Sequence, residues 1–270
     1  MPNNESKFKS GYVALIGKPN VGKSTLMNAM LGEELSIVTK KPQTTRHKIA
    51  GILNRKGVQV VFLDTPGFHK SRKLLNIAMN DVVDSVIDDA DVVCLLVSAD
   101  QKDLSIEEGL IKRIGLSKCI LVINKSDLIT KEKYDGLAKR YKELWSVQEI
   151  IILSAVRGDG VDVLVDSLVE RLPEGPAYFP DDVFTDRSVR FLAAELIREQ
   201  LFLQMQQEIP YSTAIEIEDF KDPTEDDLIT RITASIVVEK ASQKAMIIGK
   251  GGKRIKQIGT EARKKIEELA

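Results

Sequence analysis

The chain has 270 residues, of which 43% are hydrophobic, and its formal net charge is −1. Because this length exceeds the usual size of one domain, we expect two domains. The balanced charge excludes a polycation, so any affinity for nucleic acid must come from a local basic cluster. Cys94 and Cys119 lie in apolar runs and are expected to be reduced core residues. The sequence has no signal-peptide pattern and no apolar stretch near the roughly 20 residues that span a bilayer, which predicts a cytoplasmic protein.

Residues 1–172 carry the pattern of an α/β domain. Short apolar runs rich in Val and Ile alternate with helical segments, which is typical of a mostly parallel sheet with helices on both faces. Parallel strands are predicted at 12–16, 58–63, 92–97, 119–123 and 150–153, and an antiparallel strand at 47–53. Helices are predicted at 23–31, 75–89, 105–114, 131–145 and 161–171. Ligands of such sheets bind beyond the carboxyl ends of the strands.

The first strand runs into a phosphate-binding loop. Its eight residues fit the pattern G-x-x-x-x-G-K-[ST]: Gly17, Lys18, Pro19, Asn20, Val21, Gly22, Lys23 and Ser24, with Thr25 following. In this pattern backbone N–H groups surround an anion at a helix N-terminus, and the lysine adds charge for the outer phosphates. Ser24 is placed to ligate Mg²⁺. The alternative is a glycine-rich turn that binds no ligand.

Three further motifs follow three further strands. They are Asp64-Thr65-Pro66-Gly67, Asn124-Lys125-Ser126-Asp127 and Ser154-Ala155. Asp64 suits a role on Mg²⁺ through water, and the Gly67 N–H can face a γ-phosphate. These motifs, with the phosphate-binding loop, define the candidate nucleotide site.

The second of these motifs selects the base. The Asp127 carboxylate can accept both the ring N–H and the exocyclic amine of guanine, a donor pair that adenine lacks. We expect Asn124 to contact the other edge of the base, Lys125 to lie over the ring, and the backbone N–H groups of Ser154 and Ala155 to face the guanine oxygen. The sequence therefore predicts GTP rather than ATP.

A polar stretch at residues 40–47, the switch segment, lies between the phosphate-binding loop and Asp64. One threonine hydroxyl in it is expected to complete the Mg²⁺ shell when a γ-phosphate is present. We favour Thr45, with Thr44 as the alternative; a solvated loop without this role is the other interpretation. The predicted catalytic set is Lys23, Thr45, Asp64 and Gly67.

A proline-rich linker at 173–187 separates the first domain from a second at 188–270. There we predict a helix at 188–206, strands at 211–220 and 228–239, and then two helices joined by a glycine turn. From Lys240 to Lys265 the chain has nine Lys or Arg and one Glu. This order and the basic cluster indicate a KH module, whose GxxG turn holds the backbone of single-stranded nucleic acid; a plain turn is the alternative. The candidate RNA-binding residues are Ile248, Gly249, Lys250, Gly251, Gly252, Lys253, Arg254 and Lys256.

With these motifs, the chain resembles the Era family of bacterial GTPases from about residue 11 to its end. The likeness is carried by the nucleotide motifs, by residues 43–47, 178–182 and 185–188, and by the GxxG turn. The resemblance implies hydrolysis of GTP to GDP and phosphate with Mg²⁺, in the assembly of the small (30S) ribosomal subunit through 16S ribosomal RNA near its 3′ end. It also implies a cytoplasmic protein that touches the inner membrane peripherally, and we expect a monomer.

Three further features of the sequence bear on this resemblance. Phe68 stands where Ras-like enzymes have a water-orienting Gln, so we expect slow unaided hydrolysis. Asn20 occupies the position at which related GTPases hold K⁺, and a K⁺ ion there is a hypothesis. The sequence ends in or just after the second KH helix, so we expect the KH sheet to lack its last strand and RNA binding to be weakened.

Two other functions fit parts of the pattern. One is an RNA-binding adaptor in which GTP has only a structural role. The other is a GTPase of tRNA modification or membrane transport in which the GxxG turn is fortuitous. The complete set of Lys23, Ser24, Thr45 and Asp64 favours an active GTPase over the adaptor.

Overall fold

The computed structural model describes residues 8–39, 41, 44–68, 74–205, 209–223, 225 and 228–269. The chain divides into two compact units. The first contains residues up to 36 together with 45–186, and the second contains 37–44 together with 187–270. Part of the switch segment therefore belongs to the second unit, although in sequence it lies between elements of the first.

The first unit is built on a six-stranded sheet with the order β2-β3-β1-β4-β5-β6. Its strands are β1 Lys9–Gly17, β2 Ile49–Arg55, β3 Val58–Asp64, β4 Val92–Ser98, β5 Cys119–Asn124 and β6 Ile150–Ile152. The β2 strand pairs antiparallel with β3, and the other pairs are parallel. The predicted mostly parallel sheet with one antiparallel strand is confirmed.

Helices cover both faces of this sheet. They are α1 Lys23–Leu31, α2 Leu74–Asp89, α3 Ser105–Ile114, α4 Tyr134–Trp145 and α5 Val161–Arg171. Val83 of α2, Leu110 of α3 and Tyr141 of α4 share a buried cluster with alternate strand residues such as Ala14 and Ile16. The intervening Val13 and Leu15 are also fully buried, and α1 packs against α5. Strands that are buried on both sides explain the continuous apolar runs.

The predicted linker lies along the outer strand β2. The Ile52 N–H donates to the Phe184 carbonyl at 2.9 Å, and the Thr185 hydroxyl donates to the Ala50 carbonyl at 2.8 Å. Gln59, which is fully buried, accepts hydrogen bonds from two linker N–H groups and donates to the Phe179 carbonyl. The segment thereby satisfies backbone groups that an open sheet edge would leave exposed.

The second unit contains α6 Val189–Gln204, the antiparallel pair β7 Thr213–Lys221 and β8 Arg231–Val238, and the helices α7 Ala241–Ile248 and α8 Lys253–Leu269. Its core is a small cluster in which Leu201, Met205 and Ile209 meet Ile247 and Ile258. Within the described ranges its sheet has two strands. None of the helices in the described part of the chain is long and apolar enough to cross a membrane.

Several predicted boundaries are wrong by a few residues. The helix predicted from residue 131 begins with a 3₁₀ turn, Lys131–Lys133, and the strand predicted from residue 211 begins two residues later, after the 3₁₀ turn Ile209–Ser212. Pro210 lacks the N–H that a strand ladder needs. The strand predicted from residue 228 starts at Arg231, and Leu228 and Ile229 are exposed. Apolar character alone therefore does not make these residues part of the sheet.

Candidate functional site

The phosphate-binding loop closes tightly between β1 and α1. Gly22, just before α1, has φ +98°, and no side chain caps the helix N-terminus. A β-carbon on residue 22 would lie 2.3 Å from Nδ2 of Asn124. Glycine is therefore required here by both the backbone angle and the close approach. The uncapped N-terminus leaves N–H groups for an anion.

Lys23 is buried at the start of α1. Its Nζ donates to the carbonyls of Gly17 at 3.2 Å and Lys18 at 3.0 Å. Burial lowers the pKa of Lys23 to about 8, and the charge of Asp64 opposes this shift. An ammonium group that has already lost most of its water interacts strongly with a phosphate anion. The loop carbonyls thus orient the one lysine that the sequence motif requires.

Ser24, Thr45 and Asp64 meet beside this lysine. The Ser24 hydroxyl donates to Oδ2 of Asp64 at 2.6 Å and lies 3.0 Å from the Thr45 hydroxyl. Asp64 is fully buried, and its Oδ1 has no hydrogen-bond partner within the described ranges. Burial raises the pKa of Asp64, while the Ser24 hydrogen bond and the Lys23 charge oppose the shift. Two hydroxyl oxygens beside a buried carboxylate fit a hard cation such as Mg²⁺.

The two threonines of the switch segment have different surroundings. Thr45 belongs to the first unit and lies at Ser24, whereas Thr44 belongs to the second unit. The Thr44 hydroxyl contacts the Thr39 hydroxyl and the Lys41 carbonyl, both at 2.7 Å. Of the two candidates, Thr45 is the one with an oxygen in the Ser24–Asp64 cluster. Lys40, Pro42 and Gln43 lie outside the described residues.

The segment Asp64 to Phe68 runs along the phosphate-binding loop. A β-carbon on Gly67 would lie 2.6 Å from the Pro19 ring, and the Phe68 N–H donates to the Gly17 carbonyl at 3.1 Å. Phe68 packs partly against the core of the first unit. Its ring cannot hydrogen-bond a water molecule, and slow hydrolysis stays a prediction.

Asn124 connects the phosphate-binding loop to the segments that follow β5 and β6. Its Nδ2 donates to the Val21 carbonyl at 2.9 Å, and its Oδ1 accepts from the N–H groups of Lys125 at 2.7 Å and Ala155 at 3.0 Å. The side chain is 2% exposed. The Asn124 amide thus joins two loops of the protein, because the turn at Gly22 brings Val21 within its reach, and its contact with the base stays a prediction.

Asp127 is oriented by Ser154. The Ser154 hydroxyl donates to Oδ1 of Asp127 at 2.5 Å, and this bond is the main reason that the pKa of Asp127 is lowered. An ionised carboxylate is the form that accepts two donors from guanine. The Ser154 N–H donates to the Asp159 carbonyl at 2.9 Å, and the Ala155 N–H is bound by Asn124. The Ser154 hydroxyl thus positions Asp127, and the expected approach of the Ser154 and Ala155 N–H groups to the guanine oxygen stays a prediction.

Lys125 and Ser126 complete this motif. Lys125 has the left-handed φ of 62°, which turns the chain directly after β5. Ser126 is buried, and its N–H donates to the Leu153 carbonyl at 3.1 Å. This bond fixes the Asn124–Asp127 motif to the end of β6.

The glycine turn of the second unit lies between α7 and α8. Gly249, Gly251 and Gly252 all have positive φ values, from 60° to 74°. Lys250, Lys253 and Lys256 are exposed around the turn. Ile248, Ile255 and Met246 are also exposed on the flanking helices, at 36%, 41% and 47%. A turn without side chains, bordered by cations and apolar groups, has the features of a single-stranded nucleic acid site.

Arg254 has a structural contact that its sequence position does not reveal. Its guanidinium donates to the Met246 carbonyl at 2.7 Å, across the glycine turn. Because the last carbonyls of a helix lack intrahelical partners, this bond stabilises the end of α7. A role of Arg254 in RNA binding stays a prediction.

The second unit also contains contacts of the switch segment that the sequence analysis missed. The Arg198 guanidinium of α6 donates to the Thr44 carbonyl and pairs with Glu195, and both side chains are buried. Lys41 donates to the carbonyls of Phe202 and Met205 at the end of α6. In the sequence, the signal for this contact is the spacing i,i+3 between Glu195 and Arg198. It is a weak signal, because such pairs are normally solvent-exposed.

The folds and the two sites together define a P-loop GTPase joined to a KH module. Family models agree, since residues 12–125 match the 50S ribosome-binding GTPase family and residues 208–270 match the KH domain family. The GTPase Era of Syntrophus aciditrophicus is 49% identical over 266 residues, which cover 97% of this chain and 86% of that protein. The GTPase Era of Geobacter metallireducens is 47% identical over 98% of this chain and 90% of its own length. The chain therefore belongs to the Era GTPase family and is a GTP-hydrolysing enzyme.

Solved structures are similar over nearly the whole chain. A crystal structure of Era in complex with MgGDPNP and nucleotides 1506–1542 of 16S ribosomal RNA is 37% identical, with a TM-score of 0.91, and the match covers 97% of this chain and 89% of that one. A variant of Aquifex aeolicus Era bound to GDP·AlF4⁻ is 35% identical, also with a TM-score of 0.91, over 97% and 90% of the two chains.

The hydrogen bonds of Asn124 lead to a prediction that separates its role from that of Asp127. Without nucleotide, N124A lowers the free energy of unfolding by about 2–4 kcal/mol, because it leaves the buried Val21 carbonyl and the N–H groups of Lys125 and Ala155 without partners. D127A, at a half-buried carboxylate that accepts one hydrogen bond from Ser154, changes the stability by about 1 kcal/mol or less. Both variants lose guanine nucleotide affinity. Urea unfolding of the nucleotide-free proteins measures the difference, and equal stability of the two variants would contradict the bridging role.

Proposed function

We propose that this protein is a GTP-controlled RNA-binding factor in the maturation of the small (30S) ribosomal subunit. Its first unit binds and hydrolyses GTP, and its KH module binds 16S ribosomal RNA near the 3′ end. The observation that carries this proposal is the presence of the Ser24–Thr45–Asp64 cluster and the basic GxxG turn in one chain. The similar Era structure with MgGDPNP and 16S RNA nucleotides supports the pairing of these two ligands.

In the nucleotide site, we assign each group a role that follows from its contacts. Lys23 and the N–H groups at the start of α1 bind the phosphates, and the Gly67 N–H faces the γ-phosphate. Asp127, held by Ser154, selects guanine. Ser24 and Thr45, with Asp64 through water, would hold Mg²⁺, which neutralises charge on the outer phosphates when it is bound. Phe68 offers no hydrogen bond to an attacking water, so the enzyme turns over slowly and works as a timer.

The RNA assignment is tested with an RNA of the 16S 3′-terminal sequence and an unrelated single strand of equal length. K253M weakens binding of the cognate RNA and reduces the slope of log affinity against log salt by about one, because one phosphate contact is lost. K139M, at an exposed lysine of α4, leaves both quantities unchanged. Equal affinity of the wild-type protein for the two RNAs would refute the assignment.

Coupling between nucleotide and RNA is proposed to pass through the switch segment. Thr45 takes part in the Ser24–Asp64 cluster, whereas Thr44, the preceding residue, is bound by Arg198 of α6. Lys41 lies at the end of the same helix, and burial lowers its pKa. Movement of Thr45 towards or away from a bound cation is therefore transmitted along the backbone to the contacts that Thr44 and Lys41 make with α6.

This coupling predicts the behaviour of a second variant. In the wild-type protein, RNA affinity differs between the complex with a non-hydrolysable GTP analogue and the complex with GDP. K41M brings the ratio of these two affinities closer to one, because the segment loses its charged contact with α6. Fluorescence titration of labelled RNA measures the ratio, with K139M as the control. A ratio in K41M as large as in the wild type would show that the Lys41 contact does not transmit the signal.

A bound K⁺ ion at Asn20 stays a prediction. Asn20 has a left-handed φ of 62° in the phosphate-binding loop, and a second cation there would supply positive charge during hydrolysis. We expect faster GTP hydrolysis in KCl than in NaCl at equal ionic strength, and a smaller difference in N20A. Equal rates of the wild-type enzyme in the two salts would exclude the ion.

The remaining assignments rest on membership of the Era family. We propose that the protein acts in the cytoplasm as a monomer, where GTP and ribosomal RNA are both present, and that it binds the inner membrane peripherally. We also keep the division into residues 1–172, 173–187 and 188–270 as the proposed functional domains, with the switch segment shared between the two activities.

A further inference from the structure

A buried carboxylate of α3 is paired with a lysine of the phosphate-binding loop. The Glu107 side chain is 0% exposed, and its Oε2 lies 3.2 Å from Nζ of Lys18. Neither oxygen of Glu107 has a hydrogen-bond partner in the part of the chain that the structure describes. Lys18 also donates to the Asp103 carbonyl at 2.5 Å and lies 3.6 Å from the Asp103 carboxylate. The ammonium of Lys18 is thus held on the side of α3.

Such a pair is costly to bury. Removing a carboxylate from water costs several kcal/mol, and an apolar pair of similar volume is often as stable or more stable. The position of Glu107 in the first turn of α3 reduces this cost, because a helix N-terminus favours negative charge. The stability of the fold alone therefore does not explain why residue 107 is acidic. The contact between Glu107 and Lys18 suggests another reason.

Lys18 in turn contacts the lysine that faces the phosphates. The backbone carbonyl of Lys18 accepts a hydrogen bond from Nζ of Lys23 at 3.0 Å. When Glu107 and Asp103 fix the Lys18 side chain, they also fix the position of this carbonyl. The contacts therefore form a continuous series from Glu107 through Lys18 to the Lys23 ammonium.

We propose that Glu107 is a positioning residue for the nucleotide site: it anchors Lys18 to α3 and so holds the Lys23 ammonium and the loop N–H groups in the geometry that binds phosphate. This inference rests on the proposed nucleotide site and adds to it a residue outside the sequence motifs. Glu107 also keeps the second cation of the loop directed away from the phosphates, which leaves Lys23 as the cation that contacts them.

The test measures affinity for fluorescent GDP and a fluorescent non-hydrolysable GTP analogue. E107Q weakens binding of both nucleotides about tenfold, at the lower end of what loss of an outer-shell partner costs at metal sites. The hydrolysis rate at saturating GTP changes by less than about twofold, because the preorganised loop stabilises ground state and transition state alike. E107D, which keeps the charge, restores most of the affinity. Circular dichroism verifies the folded fraction of each variant.

The same helix offers a matched control. Arg113 of α3 forms an ion pair with Asp84 of α2, and neither residue belongs to the nucleotide site. D84N removes an ion pair from α3 and leaves nucleotide affinity unchanged. If D84N and E107Q weaken binding equally, the effect comes from the packing of α3, and the positioning role is overturned.

A double-mutant cycle tests whether Glu107 acts through Lys18. K18M alone leaves a buried carboxylate without its cation, and the double variant K18M/E107Q removes both charges and folds without that penalty. We expect E107Q to weaken binding far less in the K18M background than in the wild type. Equal effects in the two backgrounds, or wild-type affinity of the double variant, would overturn the proposal. Failure of the wild-type protein to bind guanine nucleotides would instead overturn the proposed function.

Discussion

The nucleotide site depends on the hydrogen bonds that the side-chain amide of Asn124 makes. This amide joins the phosphate-binding loop, at the Val21 carbonyl, to Lys125 and Ala155, which belong to the segments proposed to bind the base. The approach is possible because residue 22 has no side chain, since a β-carbon there would overlap the amide nitrogen. The distance between the phosphate and base subsites is thereby set by the protein before a nucleotide arrives. Preorganisation of this kind reduces the cost of binding.

The boundary between the two units falls inside the switch segment, at the peptide bond between Thr44 and Thr45. Thr45 lies with Ser24 and Asp64, whereas Thr44 and Lys41 lie with α6 of the second unit. The chain thus passes from one unit to the other between adjacent residues, each of which has its own set of polar contacts. A change at one set must be accommodated by the other or by rotation of the backbone between them.

Two acidic residues in helices, Glu107 and Glu195, are buried in ion pairs, although acidic residues in helices are usually exposed to solvent. Glu107 follows the first residues of α3, where acidic side chains are usually solvated and contribute a small dipole effect. In this protein it is fully buried and paired with Lys18. Glu195 of α6 is likewise buried with Arg198. The first pair holds the phosphate-binding loop at Lys18, and the second holds the switch segment at Thr44. Both pairs therefore position a loop, whereas a surface ion pair would not.

The amino-acid sequence by itself determined the order of the elements, the mostly parallel sheet, the phosphate-binding loop and the polar residues at each strand end. These features depend on local periodicity and on the rule that parallel strands end at one edge, so short windows of sequence contain them. Only the tertiary structure decided that Asn124 bonds to Val21, that the Ser154 N–H is taken by Asp159, that Arg254 caps α7, and that residues 37–44 join the second unit. Each of these depends on which donor and acceptor come within about 3 Å after packing, a distance that side-chain type and spacing do not specify.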